Sequence, residues 1–508
     1  MSEEDGDDEG TLLDRFLRVF SDVRRGEGAT ALILLFTIFV LLVCYYVLKT
    51  VREPLVLASA EQDLQLLRGT GLPDWLVDTI VQGEGAQLKA VAAGFQALLL
   101  AGFVPAYSWL ASKVTRIRLI VGVTLFWIAC IQLFFFLRLA GVPMLGFFFY
   151  IWVGIFSVSI IAQFWSFAND IYSDEQGKRL FPIIGVGATA GAPVGSWGAG
   201  ALYDYIAPDD VERADLDGLQ TWLADLGLDP SFILLQVPAI TLLVFLGMMI
   251  WAAQRKRLAE GVSDAPQEED EDKGSAKDGF ALILKSPYVR LIAAVILTLN
   301  LVNTMGEFLL SDMVDQAAEQ AVAAGTAANE GKWIGSFYSS FFLYVNIAAL
   351  VLQAFVVSRL VKYIGLKAVL FALPVVALGS YSLFAAGFGL VVLRWAKTAE
   401  NSTDYSIMNT GKAMVWLPTT RAAKYQGKQA VDTFIVRIGD LASAVMFLIG
   451  TAALGMGLQG LAAVNLGFVI LWLGLTYLLV RKHQQVERDP SADPAASAEA
   501  VELENEAA

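Results

Sequence analysis

Two cysteines and one histidine are all that this 508-residue chain offers to thiol and imidazole chemistry. Cys44 and Cys130 both fall inside apolar runs, which leaves neither a disulfide framework nor a CxxC metal site. His483 sits in a basic stretch after the last apolar run, so any proton handling falls to carboxylates rather than imidazole. The sequence shows no Ser/His/Asp set, no metal-ligand spacing and no P-loop, so the expectation is a non-enzyme without cofactor or metal. Charged residues make up only 17 %, and acid outweighs base to give a net charge of -14. The acid gathers in residues 2–9, around 264–272 and from 487 to 504. These Pro/Ala/Gly/Ser-rich segments bury too little apolar area to fold and are read as disordered. Acidic ends argue against nucleic-acid binding, and an acidic N-terminus does not fit a secretory signal.

What the chain has in excess is apolar length. Hydrophobic residues reach 56 %, and twelve runs are each long enough to cross about 30 Å of hydrocarbon as a helix. They occupy roughly 30–53, 89–111, 119–139, 143–168, 180–203, 232–252, 287–311, 334–357, 367–388, 389–410, 430–456 and 458–480. The reading is an all-α polytopic membrane protein of twelve transmembrane helices in two six-helix bundles. Its parts are an acidic N-terminus with an amphipathic surface helix (1–28), an N-terminal bundle (29–254), a cytoplasmic linker (255–286), a C-terminal bundle (287–482) and a disordered acidic tail (483–508). Basic residues collect in alternate loops, at Arg24/Arg25, Lys113/Arg116/Arg118, Arg255/Lys256/Arg257, Arg359/Lys362/Lys367 and Arg481/Lys482. By the positive-inside bias, both termini and the linker face the cytoplasm.

The halves repeat. Leu48-Lys49-Thr50-Val51-Arg52-Glu53 returns 254 positions later as Val302-Asn303-Thr304-Met305-Gly306-Glu307, and Gln176-Gly177-Lys178 returns 250 positions later as Gln426-Gly427-Lys428. Two echoes at nearly one offset relate the halves in parallel, an arrangement that resembles the major facilitator architecture, with a solute site expected where the repeats meet. Gly187, Gly191 and Gly195 recur every four residues in the fifth run, a packing seam on one helix face. The nearby stretch from Gly185 to Ala190 superficially resembles a dinucleotide fingerprint, but no strand precedes it.

Polar groups inside apolar runs are costly and therefore functional candidates. They fall on the first, fourth, seventh and tenth runs. The substrate-binding candidates are Lys49, Arg52, Glu53, Asn169, Asp170, Asn303, Glu307, Arg394, Lys397, Asn401 and Lys412. Arg394, Lys397, Asn401, Tyr405, Met408 and Lys412 follow one helical stripe, expected to face water or substrate. Lys49, Arg52, Arg394 and Lys397 form a cationic set suited to a phosphate or carboxylate ligand. The competing reading makes Arg52–Glu53 a structural pair. Lys178, Arg179, Asp404, Lys424 and Lys428 are read as a cytoplasmic gate of ion pairs, and Arg437 with Asp440 as an internal pair.

At these positions the chain resembles the nucleotide transporter family, the ATP/ADP translocases of plastids and intracellular bacteria. The likeness is carried by Leu48–Glu53, similar to L-K-T-x-R-E, by Phe164-Trp165-Ser166-Phe167-Ala168-Asn169-Asp170, similar to F-W-x-x-A-N-E, and by Lys397, Asp404-Tyr405-Ser406, Lys412, Leu417-Pro418, Lys424-Tyr425, Lys428 and Asp432. The resemblance implies functional roles for Lys49, Asp170 and Lys412. Two positions depart from the pattern: Asn303 stands where the family has an acid, with Glu307 one turn further, and Asp170 is a methylene shorter than the usual Glu. The expectation is a secondary antiporter for a nucleotide or related phosphorylated anion, working by alternating access as a monomer in a bacterial inner membrane. A proton-coupled carrier of another organic anion or amphiphile, with Glu53 or Glu307 as proton carrier, is the alternative. A non-transporting scaffold or receptor is a third reading.

Overall fold

A computed structural model describes residues 23–24, 27–58, 84–172, 174–206, 217–225, 230–260, 276–327, 329–420 and 423–496. The expected surface helix at 11–25 and the acidic stretches 2–9, 264–272 and 497–504 lie wholly or largely outside the described residues.

The described chain is helical throughout its ordered elements. Helices α1 (Glu27–Leu57), α2 (Glu84–Lys113), α3 (Arg116–Leu139), α4 (Leu145–Ile171), α5 (Asp174–Ile206) and α6 (Gln236–Glu260) come from the first half. The second half gives α7 (Pro287–Ala323), α8 (Glu330–Tyr363), α9 (Leu366–Ala385), α10, α11 (Lys428–Ala453) and α12 (Leu458–Arg488). Helix α10 runs through Leu390–Thr403, a π-helical turn at Asp404–Met408, and Asn409–Met414. Among the described residues, eleven helices are long and apolar enough to cross a membrane. The expected twelfth is α10. It has the length, but Arg394, Lys397, Glu400, Asp404 and Lys412 make it too polar to qualify by hydropathy.

Packing gathers the helices into two compact units. The first holds α1 up to Leu55, the end of α2 from Ala106, α3 to α6, and α8 up to Leu343. Its seam is the glycine row of α5: a Cβ at Gly187, Gly191 or Gly195 would collide with the α1 carbonyls of Leu35, Phe39 and Val43, so only glycine allows this approach. The same close fit brings α5 to α8. Side chains at Gly200 and Gly335 would run into Ser339 and Tyr203, and Tyr203 is hydrogen-bonded to Ser231 at 2.8 Å.

The second unit holds the first part of α2 with α7, the rest of α8, and α9 to α12. Helix α2 is fixed there by polar ties as well as packing. Lys89, 2 % exposed, donates to Ser311 Oγ at 2.6 Å, and the Gly85 N–H donates to Asp315 at 2.9 Å. Gly94 packs on Leu441 and Ala444 of α11. The bundles read from the sequence, 29–254 and 287–482, therefore differ from the packing units by one exchange of segments between halves. Hydropathy locates helices, but only these long-range contacts assign them to a unit.

The linker and the C-terminal tail both carry ordered structure. Within the 255–286 linker, Ala276–Lys285 is a helix, with Phe280 against Phe434 at 5.2 Å and Gly279 against Gln426 and Ala430. Within the tail read as disordered, α12 continues to Arg488 and residues 489–496 fold back on the second unit. Asp493 is fully buried and accepts hydrogen bonds from Ser286 Oγ (2.5 Å) and the Tyr288 N–H (3.0 Å). Its carboxylate thus caps the N-terminus of α7, where unpaired amides and the helix dipole favour negative charge. The Thr420 N–H donates to Ala495 O at 2.8 Å, which ties the end of α10 to the same strap. A composition biased to Ala and Asp concealed one capping residue.

Candidate functional site

The candidate residues divide between the two units. In the first unit they lie near the end of α1. The Arg52 guanidinium donates to Glu53 Oε1 from both Nε (3.1 Å) and Nη2 (2.6 Å), and it lies over the Tyr150 ring at 4.3 Å. Glu53 is 1 % exposed, so this is a buried pair whose partners hold each other in place. Lys49 is set differently. Its ammonium lies 4.3 Å from the Phe342 ring centroid and 5.4 Å from that of Tyr46, in the range of cation–π attraction. Thr50 turns its hydroxyl back to Tyr46 O at 2.8 Å and so takes no part. On α4, Asn169 is exposed and Asp170 half-buried.

The gate candidates of this unit show a partner that the sequence reading did not name. Arg179 grips Glu27 with two bonds of 3.0 Å, and Gln176 Nε2 adds a third at 3.2 Å. This fork binds the start of α5 to the start of α1. The side chain of Lys178 lies outside the described residues.

In the second unit the polar groups converge on Lys397, which is fully buried. Its Nζ lies 3.0 Å from Glu400 Oε1, 3.2 Å from Asn303 Oδ1 and 3.5 Å from Glu307 Oε1. Asn401 Nδ2 donates to Glu307 at 2.9 Å, and the Tyr381 hydroxyl of α9 stands 2.8 Å from Glu400 Oε1. Asn303 thus accepts a hydrogen bond from Lys397. The expected α10 stripe does not face water as one surface. Lys397, Asn401 and Met408 are buried, whereas Tyr405 is exposed and Lys412 half-buried. The π-helical turn at Asp404–Met408 inserts a residue into the helical phase, and the carboxylates of α7 and α10 hold Lys397 inward.

The remaining candidates are dispersed. Arg394 lies over Tyr344 and Trp395, at 5.4 and 5.9 Å. Lys412 reaches back across the π turn to Asp404 at 3.3 Å. Lys424 is half-buried in a second π-helical turn, Ala423–Gly427. Arg437 and Asp440 form the internal pair that their spacing suggests, at 2.9 Å, and Thr304 donates to the same carboxylate at 2.9 Å. Sequence reasoning missed Glu27, Tyr381 and Asn465. Tyr381 and Asn465 sit alone in apolar runs with no motif, and Asn465 donates to Val302 O at 3.1 Å.

Apolar helices of membrane-crossing length, carrying ion-paired charges on α1, α7 and α10, define a polytopic membrane protein. The model of the TLC ATP/ADP transporter family matches residues 144–483, well over half of the chain. This chain belongs to that family. It is 22 % identical over 378 residues to ADP,ATP carrier protein 1 of Chlamydia pneumoniae, covering 67 % of this chain and 69 % of that one. The carrier protein 1 of Chlamydia trachomatis serovar D is 24 % identical over 345 residues, 62 % of this chain and 61 % of its own length. The chain therefore spans roughly two thirds or less of these relatives. Among solved structures, the POT family transporter PepTSo gives a TM-score of 0.56 at 13 % identity, over 90 % of this chain and 98 % of that one. A bacterial homologue of the human lysosomal transporter Spinster gives 0.53 at 14 %, with the same coverage. These likenesses establish the fold as major facilitator-like.

Proposed function

We propose that the chain is a nucleotide antiporter of ATP/ADP type, exchanging its substrates by alternating access. The observation that carries this reading is Lys49. It stands in the stretch Leu48–Glu53 that resembles the family's L-K-T-x-R-E, and its ammonium rests on the Tyr46 and Phe342 rings, one turn from an Arg52 that Glu53 already neutralises. A lysine held against aromatic faces offers its charge to a polyphosphate, while the rings offer a surface to a base. Asp170 and Lys412 are further substrate-contacting residues on this reading. The protein acts as a monomer in a bacterial inner membrane, with both termini cytoplasmic.

The test is uptake of labelled ATP into liposomes loaded with ADP. Wild-type protein is expected to accumulate label only with internal ADP, and Lys49→Ala to lose at least tenfold of that uptake while melting as wild type does. Equal uptake into ADP-free vesicles, or an unaffected Lys49→Ala, would overturn the proposal.

A further inference from the structure

Two helices of the first half change packing unit along their length, and each does so at a proline. Helix α1 passes from the first unit to the second between Leu55 and Val56, next to Pro54, and α2 passes back between Pro105 and Ala106. Helix α8 also changes unit, between Leu343 and Tyr344, but has no proline there. A proline inside a helix removes one backbone hydrogen bond and crowds the carbonyl four residues earlier, so it marks a place where the helix bends readily. Between these prolines the described residues are 56–58 and 84–105, and they hold together, since a Cβ at Gly85 would collide with the backbone of Leu57. Polar contacts fasten them to α7. Lys89 donates to Ser311 Oγ at 2.6 Å, Ser311 donates onward to Glu307 O at 2.7 Å, and the Gly85 N–H donates to Asp315 at 2.9 Å. On α11 the contact is apolar and close: a Cβ at Gly94 would lie 3.6 Å from that of Ala444. Burying an ammonium costs more than burying an apolar side chain of its size, so Lys89 sets the register of this contact rather than adding much adhesion.

We propose that these residues form a hinged clasp, with Pro54 and Pro105 as hinges and Lys89 as its latch, released from α7 and α11 once in every transport cycle. Alternating access demands that a contact made in one state be broken in the other. The clasp suits that part by its place and its chemistry. Ser311 and Asp315 lie toward the end of α7, which is the end away from the cytoplasm on the topology proposed above. The latch is a single lysine that a polar surface can take back into water. Lys89 acts here as a positioning residue, touching Ser311 and not the solute. The clasp also adjoins the candidate residues along the chain. Pro54 directly follows Arg52 and Glu53, and the latch ends on the backbone carbonyl of Glu307, whose carboxylate lies 3.5 Å from Lys397. The need for release rests on the exchange reading, whereas the hinges and the latch rest on the packing alone.

Two measurements on the full chain, in a Cys44→Ala/Cys130→Ala background, test the clasp. The first needs no solute. Ala90 is fully buried beside Lys89, so Ala90→Cys in nanodiscs should react with a maleimide only when the clasp opens. Lys89→Met and Ser311→Ala should each speed that reaction about tenfold, and Ser311→Ala serves if Lys89→Met does not fold. Ala377→Cys, buried in α9 of the same unit, should stay slow in both variants. Unchanged rates at Ala90→Cys, or an equal rise at Ala377→Cys, would overturn the latch. The second measurement uses the fit of Gly94 to Ala444, whose separation lies in the Cβ–Cβ range of a disulfide, about 3.5–4.5 Å. Gly94→Cys/Ala444→Cys should cross-link on mild oxidation, lose ATP/ADP exchange in liposomes about tenfold, and recover it on reduction. Failure to cross-link, or exchange that continues at full cross-linking, would sink the clasp. If the reduced protein does not exchange ATP for ADP, the nucleotide reading falls, and the labelling rates decide the clasp by themselves.

Discussion

Glu53 and Glu307 occupy matching places in the internal repeat, and each keeps a cation, but the cation comes from different helices. In the first half it is Arg52, the adjacent residue of α1. In the second half the Arg position is Gly306, and the charge arrives from α10 as Lys397. The substitution has a steric reason, because Tyr381 and Lys397 fill the volume that any side chain at 306 would take. Such exchanges explain how much of the site the sequence disclosed. It showed which positions are charged, since charge inside an apolar run stands out. Which charges pair was legible only for near neighbours, as with Arg52–Glu53 and Arg437–Asp440. Lys397 with Glu307, and Arg179 with Glu27, join distant positions that no periodicity links. The Arg52–Glu53 pair makes its own prediction. Arg52→Ala removes the fork from a buried carboxylate, an effect on the order of 3–5 kcal/mol. A melt of the protein in detergent should show a drop of several degrees, and Arg52→Ala/Glu53→Gln should recover most of it. A single variant that melts like wild type would mean that the pair does not stabilise α1.

At the scale of elements, the helices with plain apolar composition were readable to within several residues, and α7 and α10 show where that fails. The apolar run begins near 287, where the structure starts α7, with Ser286 as its cap: the Ser286 hydroxyl accepts from the Val289 N–H at 3.0 Å. The sequence cannot show that the helix is also capped by Asp493, more than two hundred residues away. Asp493→Ala should weaken that end by about 1–2 kcal/mol. Amide hydrogen exchange is the measurement: the first turn of α7 should exchange several-fold faster, with the middle of α7 unchanged. Exchange that is the same throughout would show that the cap contributes nothing. In α10 a regular stripe was drawn through a helix that is not regular. Each π-helical turn adds a residue, so positions beyond Asp404 rotate away from the face that the spacing assigns.

For the whole molecule, the fold follows from apolar length and the internal duplication, both present in the sequence. The exchange of segments between the units does not, because it depends on the Lys89, Gly85 and Gly94 contacts made across the chain. Orientation is open to direct measurement. In a Cys44→Ala/Cys130→Ala background, Ser491→Cys should react with a membrane-impermeant maleimide only after cells are permeabilised, and labelling of intact cells would invert the topology. The polarity of α10 has a consequence for how the protein is made. Each charge at a helix centre costs about 2.5–3.5 kcal/mol on insertion scales, and α10 carries Arg394, Lys397, Glu400 and Asp404 within three turns. It cannot leave the translocon for lipid by itself. Asn303 and Glu307, already in place on α7, are the groups that Lys397 needs on arrival. The expected consequence is that α7 stays near the exit until α10 is synthesised, and that Glu307→Ala lowers the share of correctly inserted protein, read by protease protection of the membrane fraction.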